Sequence, residues 1–453
     1  MKPHLLYIAF WYPPSRASGV YRALATSREF AAAGWDVTVA TCTSEFLEDE
    51  VGSIDDSLLA ETPAGVDIVR VPFTFDLEAD LDVRSLSWWS ANLPSLWRVI
   101  YERTAPLRTT IATIRGNAPE AFQLSDQYVT WIDPLVKAGI EIDANHEIDH
   151  ILATGNPYSS FEAARVLAGV IGTRFSVDYR DPWTIDVFTG TTEFTDRATL
   201  AAERQIVEQA EFCFHVNDAI ADAYRDLYPA QAHKQVVVQN GFDAHSIPTR
   251  VRPASPPLRF GILGTVNDRW PIEAIFKAWN SCRRELPAES DLVMAGHLGY
   301  FARSEDLLEA YLPGEETSFR YVGPIRKADV ADFYDAVDVV ILPVPGGPMV
   351  TSGKVFEALA IGKPIVCVQA GGGGARILLE QHPLAIGAEP NAQSVRTALL
   401  NAARMALDLD PEVAAQVRAD GARYERHVAM EPMIQAVAGT LQVDRRDERH
   451  IHG

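Results

Sequence analysis

Cysteine is scarce in this sequence, and no pattern joins what there is. Among 453 residues only Cys42, Cys213, Cys282 and Cys367 occur, none near another. That excludes a zinc-type spacing and a secreted disulfide framework, and leaves buried, inert thiols in a reducing compartment as the expectation. Positive charge is also short: 40 Lys and Arg stand against 61 Asp and Glu, a net charge of −21. A nucleic-acid partner would need a basic footprint, so none is expected. The same balance argues against general attachment to anionic lipid, although a local basic patch survives such an average. No run reaches the roughly 18 apolar residues of a membrane span. The opening "MKPHLLYIAFWYPP" is interrupted by Tyr12-Pro13-Pro14 and does not read as a signal peptide, so a cytoplasmic protein is expected. No GxGxxG dinucleotide fingerprint and no divalent-metal motif stands out, and no metal or other cofactor is expected.

What the chain does have is alternation. Short apolar runs recur at 4–10, 36–42, 66–73, 150–155, 175–180, 212–216 and 236–241, separated by helix-length segments such as 21–34, which Gly34 closes. Strands apolar on both faces and linked by helices predict a parallel sheet covered on both sides. The rhythm pauses over "FDAHSIPTRVRPASPP" (242–257), with four prolines, and restarts at 258–264, 291–296, 319–323, 338–343 and 364–368. The expected fold is therefore α/β, with two doubly wound Rossmann-like domains facing across a cleft: 1–241, a linker 242–257, and a second domain from 258. An insert at about 74–130 breaks the pattern. It carries Trp88, Trp89 and Trp97 with Arg84, Arg98, Arg103, Arg108 and Arg115. Two readings stand: a helical pair packed on the first sheet, or an amphipathic surface over 84–115 that meets a lipid or lipid-linked partner at the inner face of the membrane.

In doubly wound sheets ligands sit beyond the carboxyl ends of the strands, so the loops there are the candidate sites. After the first strand, Ser18-Gly19 leads straight into a helix, whose free amides suit an anion. "GNPYSSF" places Asn156 and Tyr158 after the strand at 150–155. "DYRDPWT" places Asp178, Arg180, Asp181 and Trp183 after the next one. These charges are costly to bury unless paired, so an internal Arg180–Asp pair competes with acceptor recognition, in which Trp183 would be a stacking platform. Asn240 follows the last strand of the first half. In the second half, Gly264, Arg269 and His297 follow strands, and "QAGGGGARILLE" (369–380) is either an anion cradle or a hinge. The stretch "VTSGKVFEALAIGKPIVCV" (350–368) carries most of the argument. Ser352 and Gly353 open a helix whose dipole and Lys354 suit phosphate, while Glu357 suits the hydroxyls of a neighbouring ribose. The mixed charges fit a nucleoside diphosphate. The competing reading is a local Lys354–Glu357 ion pair, which contributes only a few tenths of a kcal/mol.

Taken together, "WIDPLVKAG" (131–139), "GNPYSS" (155–160), "DYRDPW" (178–183), "NGFD" (240–243) and "SGKVFEALAIGKPIVCV" resemble the retaining GT-B glycosyltransferases of family 4 (group 1), in a bacterial branch that builds surface polysaccharides. The resemblance runs from Leu5 to about Tyr424. It implies an NDP-sugar donor held by the second domain over 258–425. Glu357 would take the ribose, and Ser352, Gly353 and Lys354 the diphosphate, with Gly19, Gly264 and His297 contributing to donor binding. It implies catalytic contacts from Asn156, Arg180, Asp181, Arg269 and Lys354, and acceptor contacts from Tyr158, Trp183 and Asn240. It also implies that the segment 426–453 crosses back to the first domain. The acceptor would be a glycan or lipid-linked sugar. The family's first glutamate is replaced here by Met349, and its basic pair aligns with Thr265 and Trp270. A non-catalytic binder or partner subunit, and a sugar-nucleotide epimerase, are the alternatives.

Overall fold

The structure is a computed structural model that describes residues 2–52, 54–73, 128–192, 195, 197–266, 269–299, 312 and 318–451, without the side chains of 50 and 442–451. The Trp/Arg-rich stretch, with its proposed 84–115 face, lies outside these residues up to 127. Two compact units divide the chain: Met1–Asp186 with Gly190–Val238 and Met430–Gly453, and Gln239–Ala429 with Val187–Thr189.

The first unit is built on a seven-stranded sheet of order β3-β2-β1-β4-β5-β6-β7. Its strands are β1 (His4–Ala9), β2 (Asp36–Thr41), β3 (Val66–Arg70), β4 (His150–Gly155), β5 (Arg174–Tyr179), β6 (Cys213–His215) and β7 (Gln235–Val237). Every neighbouring pair is parallel. All six residues of β1 and of β4 are buried, as a sheet covered on both faces requires. The helix Val20–Ala32 packs beside β1, with Phe30 against Trp35 in an edge-on contact. The last helix, Glu431–Ile451, belongs to this unit: Met430, Met433 and Val437 join the core that contains Leu5 and Tyr7.

The second unit is a six-stranded sheet of order β10-β9-β8-β11-β12-β13. Its strands are β8 (Arg259–Leu263), β9 (Asp291–Ala295), β10 (Phe319–Tyr321), β11 (Val339–Pro343), β12 (Ile365–Val368) and β13 (Ala385–Ala388), again all parallel. One face of this sheet buries Phe260, Phe276, Trp279 and Phe319, each worth about 1.5–3 kcal/mol of burial. Residues 242–257, read above as a linker, begin inside this unit. Phe242 is buried with Tyr424, and Asp243 pairs with Lys327 and Arg426.

Both sheets follow the doubly wound order, which reverses direction between β1 and β4 in one unit and between β8 and β11 in the other. At such a reversal the loops leave to opposite sides and open a crevice at the strand ends. Loops after β1, β4, β8 and β11 are thus the ones that the topology exposes to a ligand. Among the described residues, no helix is long and apolar enough to cross a membrane.

Candidate functional site

In the first unit, the reversal is pinned by a buried ion pair that the sequence reading missed. Arg22, on the first turn of the helix Val20–Ala32, donates from Nε and Nη2 to the two oxygens of Asp178 at 2.8 and 2.7 Å. Its Nη1 donates to the Val238 carbonyl at 3.0 Å, and the Thr154 hydroxyl donates to Asp178 at 3.1 Å. The two side chains are 3% and 0% exposed. This pair ties the helix after β1 to β4, β5 and the end of the β7 strand. It also answers the question left open by "DYRDPW": Asp178 is neutralised by Arg22, not by Arg180.

Arg180 is thereby left for the loops. Its Nε donates to the Gly155 carbonyl at 2.8 Å, and its Nη2 reaches the Asn156 carbonyl at 3.4 Å. The guanidinium lies directly over Gly19, where any Cβ would overlap it. Gly19, Asn156 and Arg180 therefore meet, at the start of a 13-residue helix. Two sources of positive potential, a guanidinium and a helix dipole, converge there. Tyr158 and Trp183 also meet, as rings stacked at 5.0 Å and 12°, so one face of Trp183 is already covered. The Tyr158 hydroxyl donates to the carbonyls of Asp181 and Pro182 at 3.2 and 3.0 Å. Below this loop sits the buried carboxyl of Glu203, which accepts hydrogen bonds from Thr184, Tyr224 and Tyr228. The Trp183 amide in turn donates to the Tyr224 hydroxyl at 3.0 Å. Burial pushes the Glu203 pKa up and the Tyr224 pKa well up. The only sequence sign of Glu203 was an acid on the apolar side of the helix Arg197–Gln209.

In the second unit, β11 runs into the loop 344–353 and then the eight-residue helix Lys354–Ile361, with Gly353 as its N-cap. The Lys354 amide donates to Ser352 Oγ at 3.3 Å, and the amides of Val355 and Phe356 donate to the carbonyls of Ser352 and Gly353 at 3.0 and 3.3 Å. Two of these are long for N–H···O bonds. A methyl group on Gly353 would meet nothing within 4 Å, so the space before the helix is open. Lys354 Nζ lies 2.9 Å from each oxygen of Glu357. The local ion pair is thus formed. It is not sealed: the side chains are 30% and 12% exposed. A second donor reaches Glu357 from below, the Tyr334 hydroxyl at 2.7 Å, from the helix Val330–Ala336. Met349 is buried in the loop ahead of this helix.

The remaining candidates are scattered around this unit. Gly264 and Gly296 end β8 and β9 side by side, with φ of +149° and +132°. A Cβ on Gly296 would overlap the Gly264 carbonyl, so this close approach, as much as any ligand, calls for glycine. His297 is half-buried, and its carbonyl accepts from the Val266 amide at 2.8 Å. Arg269 lies 4.0 Å over the Phe188 ring, a cation–π contact. The Asn240 carbonyl faces Arg426 Nε at 3.4 Å in this unit. The run 371–374 is partly packing: Cβ atoms on Gly373 and Gly374 would crowd Gln369 and the Pro348 carbonyl. Gln369 itself bridges the Pro345 carbonyl at 2.7 Å and the Arg376 amide at 3.1 Å. Among the described residues, no cluster of three or more His, Cys, Asp or Glu is placed to hold a metal ion.

Two Rossmann-like units, each with polar loops at the reversal of its strand order, define a class of two-domain, doubly wound α/β proteins. The family comparisons narrow it. The model "Glycosyl transferase 4-like domain" matches residues 19–241, and "Glycosyl transferases group 1" matches residues 257–404. The chain belongs to the GT-B glycosyltransferases. Its fold is similar to that of sucrose-phosphate synthase from Thermosynechococcus elongatus, at TM-score 0.62 and 15% identity over 99% of this chain and 100% of that one. Anabaena HepE in complex with UDP and glucose is similar at TM-score 0.58 and 14% identity, over 97% and 100%. A candidate UDP-N-acetylglucosamine 2-epimerase from Listeria monocytogenes is similar at TM-score 0.56 and 12% identity, over 98% and 97%. No curated protein matches the sequence significantly.

Proposed function

We propose that this protein transfers a sugar from an NDP-sugar to a glycan or lipid-linked acceptor, with retention at the anomeric carbon, in cell-surface polysaccharide or glycoconjugate synthesis on the cytoplasmic side of the membrane. The observation that carries the reading is the juxtaposition of an open helix start, a partly exposed Lys354 and a carboxylate at Glu357, at the strand-order reversal of the second unit. In this reading the second unit binds the donor and the first unit the acceptor. Lys354 and the amides near Ser352-Gly353 take the diphosphate, and Glu357 takes the ribose hydroxyls. Arg269, Gly264, His297 and the Arg180–Gly19–Asn156 group add contacts to the transferred sugar and its phosphates. Tyr158, Trp183, Asp181 and Asn240 serve the acceptor.

The chemistry such groups support is leaving-group stabilisation. As the sugar gains oxocarbenium character, charge grows on the departing diphosphate, and preorganised cations and amides lower that barrier. The leaving phosphate can take the acceptor proton, so no dedicated base is required. The positive groups named here meet the diphosphate charge without a metal ion in this reading, and transfer should persist in a chelator. HepE was solved with UDP and glucose, which makes UDP-glucose the first donor to test.

The test is titration calorimetry with UDP, ADP and GDP, followed by transfer assays on wild type and Glu357→Ala. Loss of a charge-assisted hydrogen bond, about 1.5–3 kcal/mol, should weaken nucleotide binding by roughly 10–100-fold. Transfer that survives Glu357→Ala would refute the reading. Nucleotide binding with no transfer to any glycan would favour the non-catalytic alternative. An altered sugar in donor incubated alone would favour the epimerase.

A further inference from the structure

We propose that Tyr334 is a positioning residue for nucleotide recognition: its hydroxyl holds the Glu357 carboxylate in place when Lys354 leaves that carboxylate for the ligand's diphosphate. The proposal rests on the donor-binding reading above and adds a residue and an exchange to it.

Lys354 neutralises Glu357, with Nζ 2.9 Å from both oxygens. An ammonium has three donors; two face Glu357 here, and a diphosphate, with its larger negative charge, competes for them. Lys354 is the more exposed partner, its side chain 30% exposed against 12% for Glu357, and an i,i+3 pair on a helix is a weak tie. A carboxylate released by its cation would be free to change rotamer unless something else held it.

Tyr334 is placed to do so. It is 1% exposed, in the core with Val330, Val355 and Phe356. Its hydroxyl donates to Glu357 Oε2 at 2.7 Å. Burial first, and the Glu357 charge second, push the tyrosine pKa well above its ordinary value, so the hydroxyl keeps its proton and stays a donor. A carboxylate has about four acceptor positions. One donor from the core side fixes the group and leaves its other lone pairs for a ribose diol.

The helix that presents Tyr334 is itself tied down. Lys363, 3% exposed, donates from Nζ to the carbonyls of Tyr334, Asp335 and Val337 at 2.7, 3.0 and 2.5 Å. These are the carbonyls at the end of a short helix that would otherwise lack partners. The Gly-Lys-Pro segment after the Glu357 helix thus locks the helix that orients Glu357.

The test uses the full chain and Tyr334→Phe, which keeps the buried ring and removes one oxygen. Calorimetry is run with the nucleoside diphosphate that wild type binds best among UDP, ADP and GDP, with its 2′,3′-dideoxy analogue, and with inorganic pyrophosphate. Tyr334→Phe should bind the nucleoside diphosphate roughly 10–100-fold more weakly, the range for one hydrogen bond to a charged group. It should bind the dideoxy analogue and pyrophosphate as wild type does. Lys354→Met should weaken nucleotide and pyrophosphate alike. In a Glu357→Gln background, adding Tyr334→Phe should change nucleotide affinity less than twofold. Three results would overturn the proposal: unchanged nucleotide affinity in Tyr334→Phe, an equal loss for pyrophosphate, or an undiminished Tyr334→Phe effect in the Glu357→Gln background. Wild type that binds none of the three nucleotides would instead overturn the donor reading beneath it.

Discussion

Replacing Asp178 by Asn removes one charge and almost no volume from the centre of the first unit. Asp178 accepts from Arg22 at 2.7 and 2.8 Å and from Thr154 at 3.1 Å, and both members of the ion pair are within 3% of full burial. After the change the guanidinium loses the Asp178 charge while it stays almost without access to water. Breaking one side of a buried pair costs about 3–5 kcal/mol, because the orphaned charge dominates. For a unit of this size each kcal/mol moves the midpoint by roughly 2–4 °C, so the first unit's melting transition should fall by roughly 6–20 °C. The double variant Arg22→Met with Asp178→Leu removes both charges, and should melt closer to wild type than Asp178→Asn does. The assay is thermal unfolding by circular dichroism at matched concentration, with urea titration to give free energies. A midpoint for Asp178→Asn within about 2 °C of wild type would refute the reasoning, since it would mean that the pair is solvated or dispensable.

Three further outcomes are expected. Burial lowers the pKa of His150 to about 3 and of His215 to about 4, from an ordinary 6.5. The unfolded chain then binds protons that the folded one refuses, so this stability is complete above about pH 6.5 and is lost as pH falls toward 4, at up to about 1.4 kcal/mol per pH unit for each histidine. Urea titrations across that range should show the slope, and His150→Gln should reduce it by one histidine's share. Gly296→Ala, at φ +132° and against the Gly264 carbonyl, should cost about 1–3 kcal/mol in backbone strain alone; a neutral melting temperature would count against the close approach of the two strand ends. All four cysteines are buried, and burial raises the thiols of Cys42, Cys213 and Cys367 to about 12 and of Cys282 to about 11. The native protein should therefore resist iodoacetamide at pH 8 and take up four equivalents only after unfolding, as read by intact mass.

Much of the architecture was legible in the sequence, because apolar periodicity is a local property. Each strand expected from an apolar run is present, and the helix after β1 ends where Gly34 takes a φ of +91°. β13 escaped notice because Ala385–Ala388 is four residues long and includes glycine, too short and too weakly apolar to be told from a turn. β7 is shorter than the apolar run suggested, since Asn240-Gly241 turns the chain with φ +62° at Gly241. The Lys354–Glu357 contact was legible for the same local reason: the two lie within one turn of one helix, where side-chain neighbours follow from the helical repeat.

Pairings between distant residues were not legible. Asp178 reads in sequence as a neighbour of Arg180, yet its partner is Arg22, 156 residues away. Glu203 shows nothing of the three hydroxyls that surround it, and Tyr334 lies 23 residues before the carboxylate that it holds. The sequence alone determined which segments become strands and helices, where two sheets begin, and which loop leads into the helix that opens with Lys354, since each follows from a dozen neighbouring residues. Only the tertiary structure decided the strand order that exposes those loops, and which buried charge neutralises which. Those depend on the condition that every polar group taken out of water must find a partner in three dimensions, a condition that no local pattern encodes.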